Sequence, residues 1–140
     1  MKIHLDKDDG RHFIRAYEPG RVRIGEAIYE QSLILMPDRI IPDWRPQHFG
    51  ELDEAAIQAL AALKPEVVLL GTGSTLRFLP SAWLSPFMGA RIGLECMDTG
   101  AACRTYNLLI SEGRKVVAGL LLADPPRLGL TNLKNGGGGA

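Results

Sequence analysis

The sequence predicts a single α/β domain, and two features of its hydrophobic pattern support this fold class. Short strand-like runs separated by turn residues fill the first part of the chain. From residue 53 onward, helical spacing alternates with short apolar runs in the order helix, strand, helix, strand, helix, strand. A chain of 140 residues suits one domain that buries roughly two-thirds of its unfolded surface without disulfides or metals. We expect the domain to occupy residues 1–127 and a flexible Gly-rich tail to occupy residues 128–140.

Two β-hairpins are predicted in the first part of the chain. Pro19-Gly20 and Pro37-Asp38 are turn dipeptides, and each lies between two short runs with strand character. The run that follows Pro19-Gly20 alternates polar and apolar residues, as a half-buried strand does. The four predicted strands lie at residues 13–18, 21–24, 32–36 and 39–41.

Capping residues and apolar spacing predict the first two helices. The first begins after the N-cap Asp53 and ends before Pro65, which cannot continue a helix. The second is a short helix predicted from Pro80 to Met88. The alternative is a helix that begins only at Ser85 as its N-cap, because Pro86 suits a first helical position.

The last part of the chain predicts one longer helix and three strands, two of which are buried on both faces. Asp98 or Thr99 caps a helix that runs to about Glu112, with Gly113 at its C-terminal stop. The runs at residues 66–70 and 115–122 are apolar without alternation, which is typical of strands buried on both faces. The third strand is predicted at residues 91–97, where Ile92, Leu94 and Cys96 alternate with the residues between them.

The loops after these three strands share one edge of the sheet if the strands are parallel. The loops are Gly71–Ser74, Asp98–Thr99 and Ala123–Asp124. Open α/β sheets bind ligands at the carboxyl ends of their strands, beside helix N-termini whose free N–H groups favour anions. The sequence therefore places a candidate site for a small anionic ligand at this edge.

The glycine loop and the start of the third helix form the centre of this candidate site. Gly71, Thr72 and Gly73 supply backbone that can take a positive φ and lie close to a ligand, while Asp98 and Thr99 mark the helix N-terminus. The loop lacks the Gly-Lys-Ser/Thr of a P-loop and the third glycine of the dinucleotide fingerprint. A tight turn out of a buried strand explains the same glycines, and both interpretations stay open at this point.

Basic and amide side chains extend the candidate site. Arg77 follows the glycine loop, and Arg104 and Asn107 share a face of the third helix because they are three residues apart. Together such groups can hold a carboxylate or a phosphate. The alternative is a structural role for Arg104, either as a cap or in an ion pair with Glu95 or Glu112.

Cys103 completes the set of candidate ligand-binding residues, but no residue is assigned a catalytic role. A nucleophilic thiol needs a lowered pKa or a neighbouring base, and no His is near Cys103 in the sequence. Cys96 and Cys103 have no third ligand at zinc-binding spacing, and no hydrolase or metalloprotease motif is present. We therefore expect no metal and no cofactor, and the sequence favours a non-enzymatic role.

Charge and composition exclude several classes of partner and compartment. Sixteen Lys and Arg balance sixteen Asp and Glu, and this neutrality argues against bulk binding of nucleic acid or anionic membranes. No apolar run approaches the roughly 20 residues that span a bilayer, and the first nine residues are too acidic for a signal peptide. Two cysteines fit a reducing compartment. We expect a cytoplasmic protein that is a monomer or a homodimer.

Three stretches of the sequence resemble a known family. They are Val67–Gly73, Met97–Asn107 and Glu112–Arg114, and the Ala-Ala-Cys-Arg-Thr-Tyr-Asn run within the second is the most specific. Over roughly residues 12–122 the chain resembles the Mth-type domain family of small proteins of unknown function, which are related to the adipogenesis-associated Mth domain protein and to a mitochondrial complex I assembly factor. The family motif residues correspond here to Gly71, Thr72, Gly73, Cys103, Arg104, Thr105 and Asn107.

The resemblance carries implications for fold and function. It implies a three-layer α/β fold, with a mixed central sheet of about five strands, flanking helices and an added N-terminal β-hairpin. It implies no established enzymatic activity, and the best-described member of the family acts through protein partners in complex I assembly.

Two functions from different classes remain as hypotheses. The first is a bacterial protein-interaction or assembly-factor-type module, with Trp44, Trp83 and Phe87 as candidates for an apolar interface. Trp83 and Phe87, spaced i and i+4, suit a core equally well. The second is a binder or an enzyme for a small anionic ligand at the Gly71–Ser74 loop and Arg104.

Overall fold

Two β-sheets and three helices make up residues 10–126, the part of the chain that the computed structural model describes. The strands are β1 Ile14–Glu18, β2 Arg21–Ile24, β3 Ala27–Tyr29, β4 Leu33–Met36, β5 Arg39–Pro42, β6 Val67–Gly71, β7 Gly93–Met97 and β8 Val116–Leu120. The helices are α1 Glu54–Ala61, α2 Ser85–Ala90 and α3 Thr99–Ser111. The expected tail at residues 128–140 lies outside the described residues, so the domain boundary stays a prediction.

The larger sheet has five strands in the order β5-β4-β8-β6-β7. Strand β6 is parallel to both β7 and β8, whereas β4 is antiparallel to β8 and to β5. The expected mixed central sheet is therefore confirmed. Gly71 is in register with Met97 on β7 and with Leu120 on β8, so the three parallel strands end at one common edge.

Alternation along the central strands divides the core into two halves, which gives the three-layer architecture. Val67 and Leu69 of β6 face a cluster that includes Tyr106 of α3 and Val22 of the small sheet. Their neighbours on β6 face the opposite cluster, which includes Ile57 of α1 and Phe87 of α2. Both faces of β6 are covered, and this explains why its sequence is apolar without alternation.

The smaller sheet contains the expected N-terminal hairpin and one strand that the sequence pattern does not reveal. Strands β1 and β2 pair antiparallel around Pro19-Gly20, and β3 pairs antiparallel with β2. Strand β3 has three residues, and two of them are exposed. Because so short and so exposed a run shows no hydrophobic period, sequence pattern alone does not predict it.

The helix caps confirm two expectations and correct one. Asp53 accepts a hydrogen bond from the amide of Ala56 at the start of α1. Asp98, not Thr99, caps α3, since its side chain accepts from Ala101 at 2.8 Å. The expectation that Ser85 caps α2 is wrong, because a 3-10 turn runs directly into this helix and Leu84 takes the cap position without a side-chain hydrogen bond. Ser85 is already the first helical residue.

Candidate functional site

The structure brings five of the nine candidate residues together at the carboxyl edge of the central sheet. Gly71, Thr72 and Gly73 leave β6 there, and Asp98 and Thr99 begin α3 beside them. The loop is tied to its neighbouring strands by backbone hydrogen bonds, from Thr72 to the carbonyl of Met97 at 2.9 Å and from Leu121 to the carbonyl of Gly71 at 3.0 Å.

Thr99 connects the ends of the parallel strands through its buried hydroxyl. Its Oγ1 accepts a hydrogen bond from the Gly73 amide at 2.8 Å and donates one to the carbonyl of Leu121 at 2.7 Å. Its own amide donates to the carbonyl of Gly73 at 2.8 Å. The amide of Gly73, which could have faced an anion, is therefore satisfied within the protein.

Both loop glycines are required by close packing. A Cβ on Gly71 would lie 2.9 Å from Thr99 Oγ1 and 3.0 Å from Thr99 Cα. Gly73 has φ +107°, and a Cβ there would lie 2.5 Å from Oδ1 of Asp124. The tight-turn interpretation accounts for these glycines without a ligand.

Asp124, in the loop after β8, supplies a carboxylate to the glycine loop at this edge. Its Oδ1 accepts a hydrogen bond from the Ser74 amide at 2.8 Å. Hydrogen bonds from Ser74 hold the pKa of this carboxyl below its usual value, and the charge of Arg77 adds to the effect. The sequence places the Ala123–Asp124 loop at this edge, but only the fold identifies the Asp124 side chain as the partner of the glycine loop.

The two candidate arginines lie on opposite faces of the sheet. The Arg77 guanidinium sits over the ring of Phe49, 5.9 Å from its centroid, and Phe49 packs against the core half that contains α1 and α2. Arg104 is exposed on α3, which covers the other face. Within residues 10–126 Arg104 forms no ion pair, so the alternative of a pair with Glu95 or Glu112 is wrong. The two guanidinium groups therefore do not form one anion clamp.

Cys103, Arg104 and Asn107 line a separate cleft between α3 and β1, with a volume of about 270 Å³. Both polar atoms of the Asn107 amide bond to β1: its Oδ1 accepts from the Ile14 amide at 2.9 Å, and its Nδ2 donates to the Ile14 carbonyl at 2.8 Å. Asn107 thus acts as a strand partner next to the irregularity between Ile14 and Ala16. Its candidate role as a ligand contact competes with this structural role.

The thiol of Cys103 is poorly suited to nucleophilic chemistry. Cys103 is 3% exposed, and burial raises the pKa of its thiol to about 12. Nearby Arg104 lowers this pKa and Asp98 raises it, but burial is the largest cause. A thiol with this pKa is neutral at physiological pH, and only the thiolate is a good nucleophile.

The aromatic residues that the sequence offers for an interface are mostly core residues. Trp44 and Phe87 are buried between the central sheet and the α1 and α2 layer, and Trp83 packs partly against the same cluster. The interface expectation is therefore wrong for Trp44 and Phe87, because the fold covers both side chains.

Other apolar side chains, which the sequence pattern does not single out, are exposed on the surface. Leu76, Phe78 and Met88 are 49%, 74% and 77% exposed, and all three lie on the connection between β6 and β7. Helical spacing and hydrophobicity identify apolar residues, but they do not say which of them the tertiary fold leaves uncovered.

Residues 10–126 hold no group of three His, Cys, Asp or Glu side chains placed to bind a metal ion. In the same stretch, none of the helices is long and apolar enough to cross a bilayer.

Comparison with known proteins places the chain among small domains of similar fold. A family model described as "Protein of unknown function (DUF498/DUF598)" matches residues 14–121. An uncharacterized protein of Rhodobacter capsulatus is 35% identical over 108 residues, which cover 77% of this chain and 82% of that protein. The NADH dehydrogenase [ubiquinone] 1 alpha subcomplex assembly factor 3 of Rattus norvegicus is 33% identical over 94 residues, 66% of this chain and 49% of that protein.

Among solved structures, the NMR structure of a Bordetella pertussis protein described as a Mth938-like domain has a TM-score of 0.75 and 27% sequence identity. The match covers 93% of this chain and 98% of that one. These similarities agree with the resemblance to the Mth-type domains that the motif residues indicate.

Proposed function

The chain belongs to the family of proteins of unknown function DUF498/DUF598, and we propose that it is an assembly-factor-type module that holds a protein partner through the connection between β6 and β7. The observation that carries this proposal is the exposure of Leu76, Phe78 and Met88 on that connection. Complete burial of a fully exposed Leu, Phe or Met side chain contributes about 1.5–3 kcal/mol, and a partner that covers the half to three-quarters still exposed on these three gains a corresponding part of that. Exposed apolar side chains that share one connection of the fold are candidates for an interaction site.

The relatives support the same class of function. The rat relative is named as an assembly factor of NADH dehydrogenase, and this chain spans about half of its length. We therefore infer that the partner is a protein, and that it belongs to the assembly of a respiratory or other multisubunit membrane enzyme.

We also propose that this interaction takes place in the cytoplasm of a bacterium. The bacterial relative from Rhodobacter capsulatus and the balanced charge of the chain support this location. Protease treatment of intact and lysed spheroplasts tests the location. A cytoplasmic protein is degraded only after lysis, so degradation in intact spheroplasts contradicts a cytoplasmic location, whether or not the protein is attached to a membrane-bound partner.

The alternative function, an anionic ligand at the carboxyl edge, has weaker support. The amides of Gly73, Ser74 and Ala101 are the groups that an anion needs there, and each already donates to Thr99, Asp124 or Asp98. An NMR titration with phosphate and carboxylate salts distinguishes the two functions. Saturable shifts at Gly71–Ser74 and Arg104 favour the ligand site, and unchanged spectra in that region favour the interaction module.

The interaction is tested by affinity capture with a matched pair of surface variants. Phe78→Ser combined with Met88→Ser removes two exposed apolar side chains from the proposed surface. Ile28→Ser combined with Leu108→Ser removes two side chains of similar exposure, 51% and 58%, from elsewhere on the molecule. Both double variants are expected to unfold at nearly the wild-type temperature, because all four side chains are exposed.

We expect quantitative mass spectrometry to find reproducible partners of the tagged protein in its native host. Those partners are lost from the Phe78 and Met88 variant and retained by the Ile28 and Leu108 variant. Equal partner recovery by both variants would place the interface elsewhere. The absence of any partner enriched over a tag-only control would contradict the proposal altogether.

A further inference from the structure

A basic cleft lies at the amino edge of the central sheet, opposite to the candidate site described above. It has a volume of about 480 Å³ and is formed where α1 and α3 end, where β6 and β8 begin and where β4 turns into β5. Its charged lining residues are Arg11, Arg39, Lys64, Arg114, Lys115 and Asp38. Five cations and one carboxylate line a single cavity in a chain whose formal net charge is zero.

Two of the five cations have partners within the fold. Arg11 donates a hydrogen bond to the carbonyl of Ile110 at the end of α3, and its guanidinium lies 5.2 Å from the ring centroid of Phe13. The Arg114 side chain is 2.7 Å from a carboxylate oxygen of Glu66. These contacts assign structural roles to Arg11 and Arg114.

The other three cations are less well compensated. Lys115 lies close enough to Glu66 to help lower the pKa of that carboxyl, although Arg114 is the main cause. Arg39 and Lys64 form no ion pair with any described residue. Their charges therefore face the cleft and the solvent.

A charge count shows that positive charge remains in the cleft after internal compensation. Arg11 is left out of the count because it is bonded to the end of α3. The other four cations and the two carboxylates Asp38 and Glu66 then sum to a formal charge of +2. The C-terminal end of α1 offsets only about half an elementary charge. The remaining charge matches one compact dianion.

Lys64 occupies a backbone conformation that costs stability at this position. Its φ is 57°, in the left-handed region that glycine adopts freely and that side chains with a Cβ rarely adopt. Helices commonly end with a glycine in this conformation. A lysine here keeps a cation at the rim of the cleft, and strained backbone of this kind concentrates at functional sites.

We propose that the basic cleft binds a small organic phosphomonoester, with Arg39, Lys64 and Lys115 as the residues that contact its phosphate. A phosphomonoester carries nearly two charges around one atom, and Lys and Arg are the usual phosphate ligands. The cavity volume is within the range of small-molecule sites, and Met36, Leu63 and Ile110 supply apolar walls for the organic part. This site is independent of the proposed interaction surface on the β6–β7 connection.

The proposal is tested by titrating the full-length protein with hexyl phosphate and inorganic phosphate, monitored by calorimetry and by amide NMR shifts. Hexyl phosphate is expected to bind saturably and more tightly than inorganic phosphate, because its chain reaches the apolar walls. The shifts are expected to lie at residues 36–39, 63–66 and 113–117. Saturable shifts confined to Gly71–Ser74, or no saturable binding up to millimolar concentration, overturn the proposal.

Charge-matched variants separate a site from a general loss of positive charge. Arg39→Gln and Lys115→Gln are each expected to weaken hexyl phosphate binding by about tenfold, since each removes a charge-assisted hydrogen bond. Arg91→Gln removes the same charge from an exposed position outside the cleft and is expected to change binding less than twofold. Equal weakening by all three variants means nonspecific attraction and overturns the site.

Lys64→Gly provides a variant that removes a cation without endangering the fold. It is expected to weaken binding about tenfold while the unfolding temperature stays the same or rises, because glycine relieves the left-handed strain.

Two further ligands distinguish the phosphomonoester from other anions. Tighter binding of succinate than of hexyl phosphate would identify a dicarboxylate as the ligand of the cleft. Binding to vesicles that contain phosphatidic acid, without saturable binding of hexyl phosphate, would assign the cleft to a membrane surface; either result overturns the small phosphomonoester.

Discussion

Gly73 and Thr99 are joined by two hydrogen bonds that run in opposite directions. The Gly73 amide donates to Thr99 Oγ1 at 2.8 Å, and the Thr99 amide donates to the Gly73 carbonyl at 2.8 Å. The Thr99 hydroxyl in turn donates a hydrogen bond to the carbonyl of Leu121 at 2.7 Å. The loop after β6, the first turn of α3 and the end of β8 are thereby held as one unit. The carboxyl edge is closed by the protein's own groups.

The first prediction concerns the hydroxyl of Thr99. Thr99→Val keeps the shape of the side chain but leaves the Gly73 amide and the Leu121 carbonyl unpaired in a fully buried place. We expect this variant to lose about 2–4 kcal/mol of unfolding free energy, because each buried unsatisfied group costs about 1–3 kcal/mol. Thr99→Ser keeps the hydroxyl and is expected to lose about 1 kcal/mol for the missing methyl group. Urea denaturation measures both, and equal midpoints for the two variants would contradict the role of the hydroxyl.

The second prediction concerns the glycines and uses a glycine on α2 as its control. Gly71→Ala introduces a Cβ within 3.0 Å of the Thr99 backbone, and we expect it to cost about 2 kcal/mol or more through overpacking. Gly89→Ala meets nothing within 4 Å and lies in a helix, so it is expected to raise stability by about 0.5–1 kcal/mol. Thermal and urea unfolding compare the two variants. If Gly71→Ala is as stable as Gly89→Ala, the packing explanation of the loop fails.

The third prediction concerns the attachment of β1 to α3. Asn107→Ala removes both hydrogen bonds to Ile14, and we expect a loss of about 1–3 kcal/mol that is concentrated in β1. Amide hydrogen exchange is the appropriate measurement, with the Ile14 amide expected to exchange faster by at least tenfold. Leu108→Ala changes an exposed neighbour on the same helix and serves as the control. Unchanged protection of Ile14 in Asn107→Ala would mean that the amide contacts contribute little.

Sequence reasoning succeeds here where the determining interactions are local. The hairpins, the parallel strands and the capping of α1 and α3 by Asp53 and Asp98 follow from turn residues, apolar periods and side chains that bond three residues ahead. The missed strand β3 is too short and too exposed to carry a period. The misplaced cap at Ser85 depends on a 3-10 turn that joins α2 without a break.

The site is less predictable because its interactions are long-range. Thr99 and Gly73 are 26 residues apart, and Asp124 lies 50 residues beyond Ser74. The sequence places these loops at one edge through the parallel order of the strands, but it does not show that their polar groups satisfy one another. The basic cleft is harder still to predict, since its lining comes from several separate segments that no single motif contains.

The fourth prediction concerns the pH dependence that Asp124 contributes. Its folded-state pKa is lowered, chiefly by hydrogen bonds from Ser74, so the ionised form stabilises the folded protein. That contribution is fully present above the unfolded pKa of about 4 and is lost as the pH falls through the lower folded pKa. Asp124→Asn retains an oxygen acceptor for the Ser74 amide but no titratable charge. We therefore expect the variant to be less stable than wild type at pH 7 and to lose less stability as the pH falls below about 4.

Urea denaturation at a series of pH values measures this difference, and Asp38→Asn is the control. Asp38 is an exposed carboxylate at the opposite edge of the sheet and is not bonded to the glycine loop. Parallel stability curves for wild type and Asp124→Asn below pH 4 would contradict the assignment of acid sensitivity to Asp124.

The fifth prediction concerns the reactivity of Cys103. With a thiol pKa of about 12, only about one molecule in 10,000 carries the thiolate at pH 8, whereas an ordinary cysteine is about one-quarter ionised. We expect iodoacetamide to modify Cys103 in the folded protein at least 1,000-fold more slowly than in urea-unfolded protein, with the burial of the side chain adding to the effect of the pKa. Peptide mass spectrometry of a Cys96→Ser variant isolates the Cys103 signal. Modification of the folded protein at the rate of a free cysteine would show an accessible thiolate, and it would make Cys103 a candidate nucleophile after all.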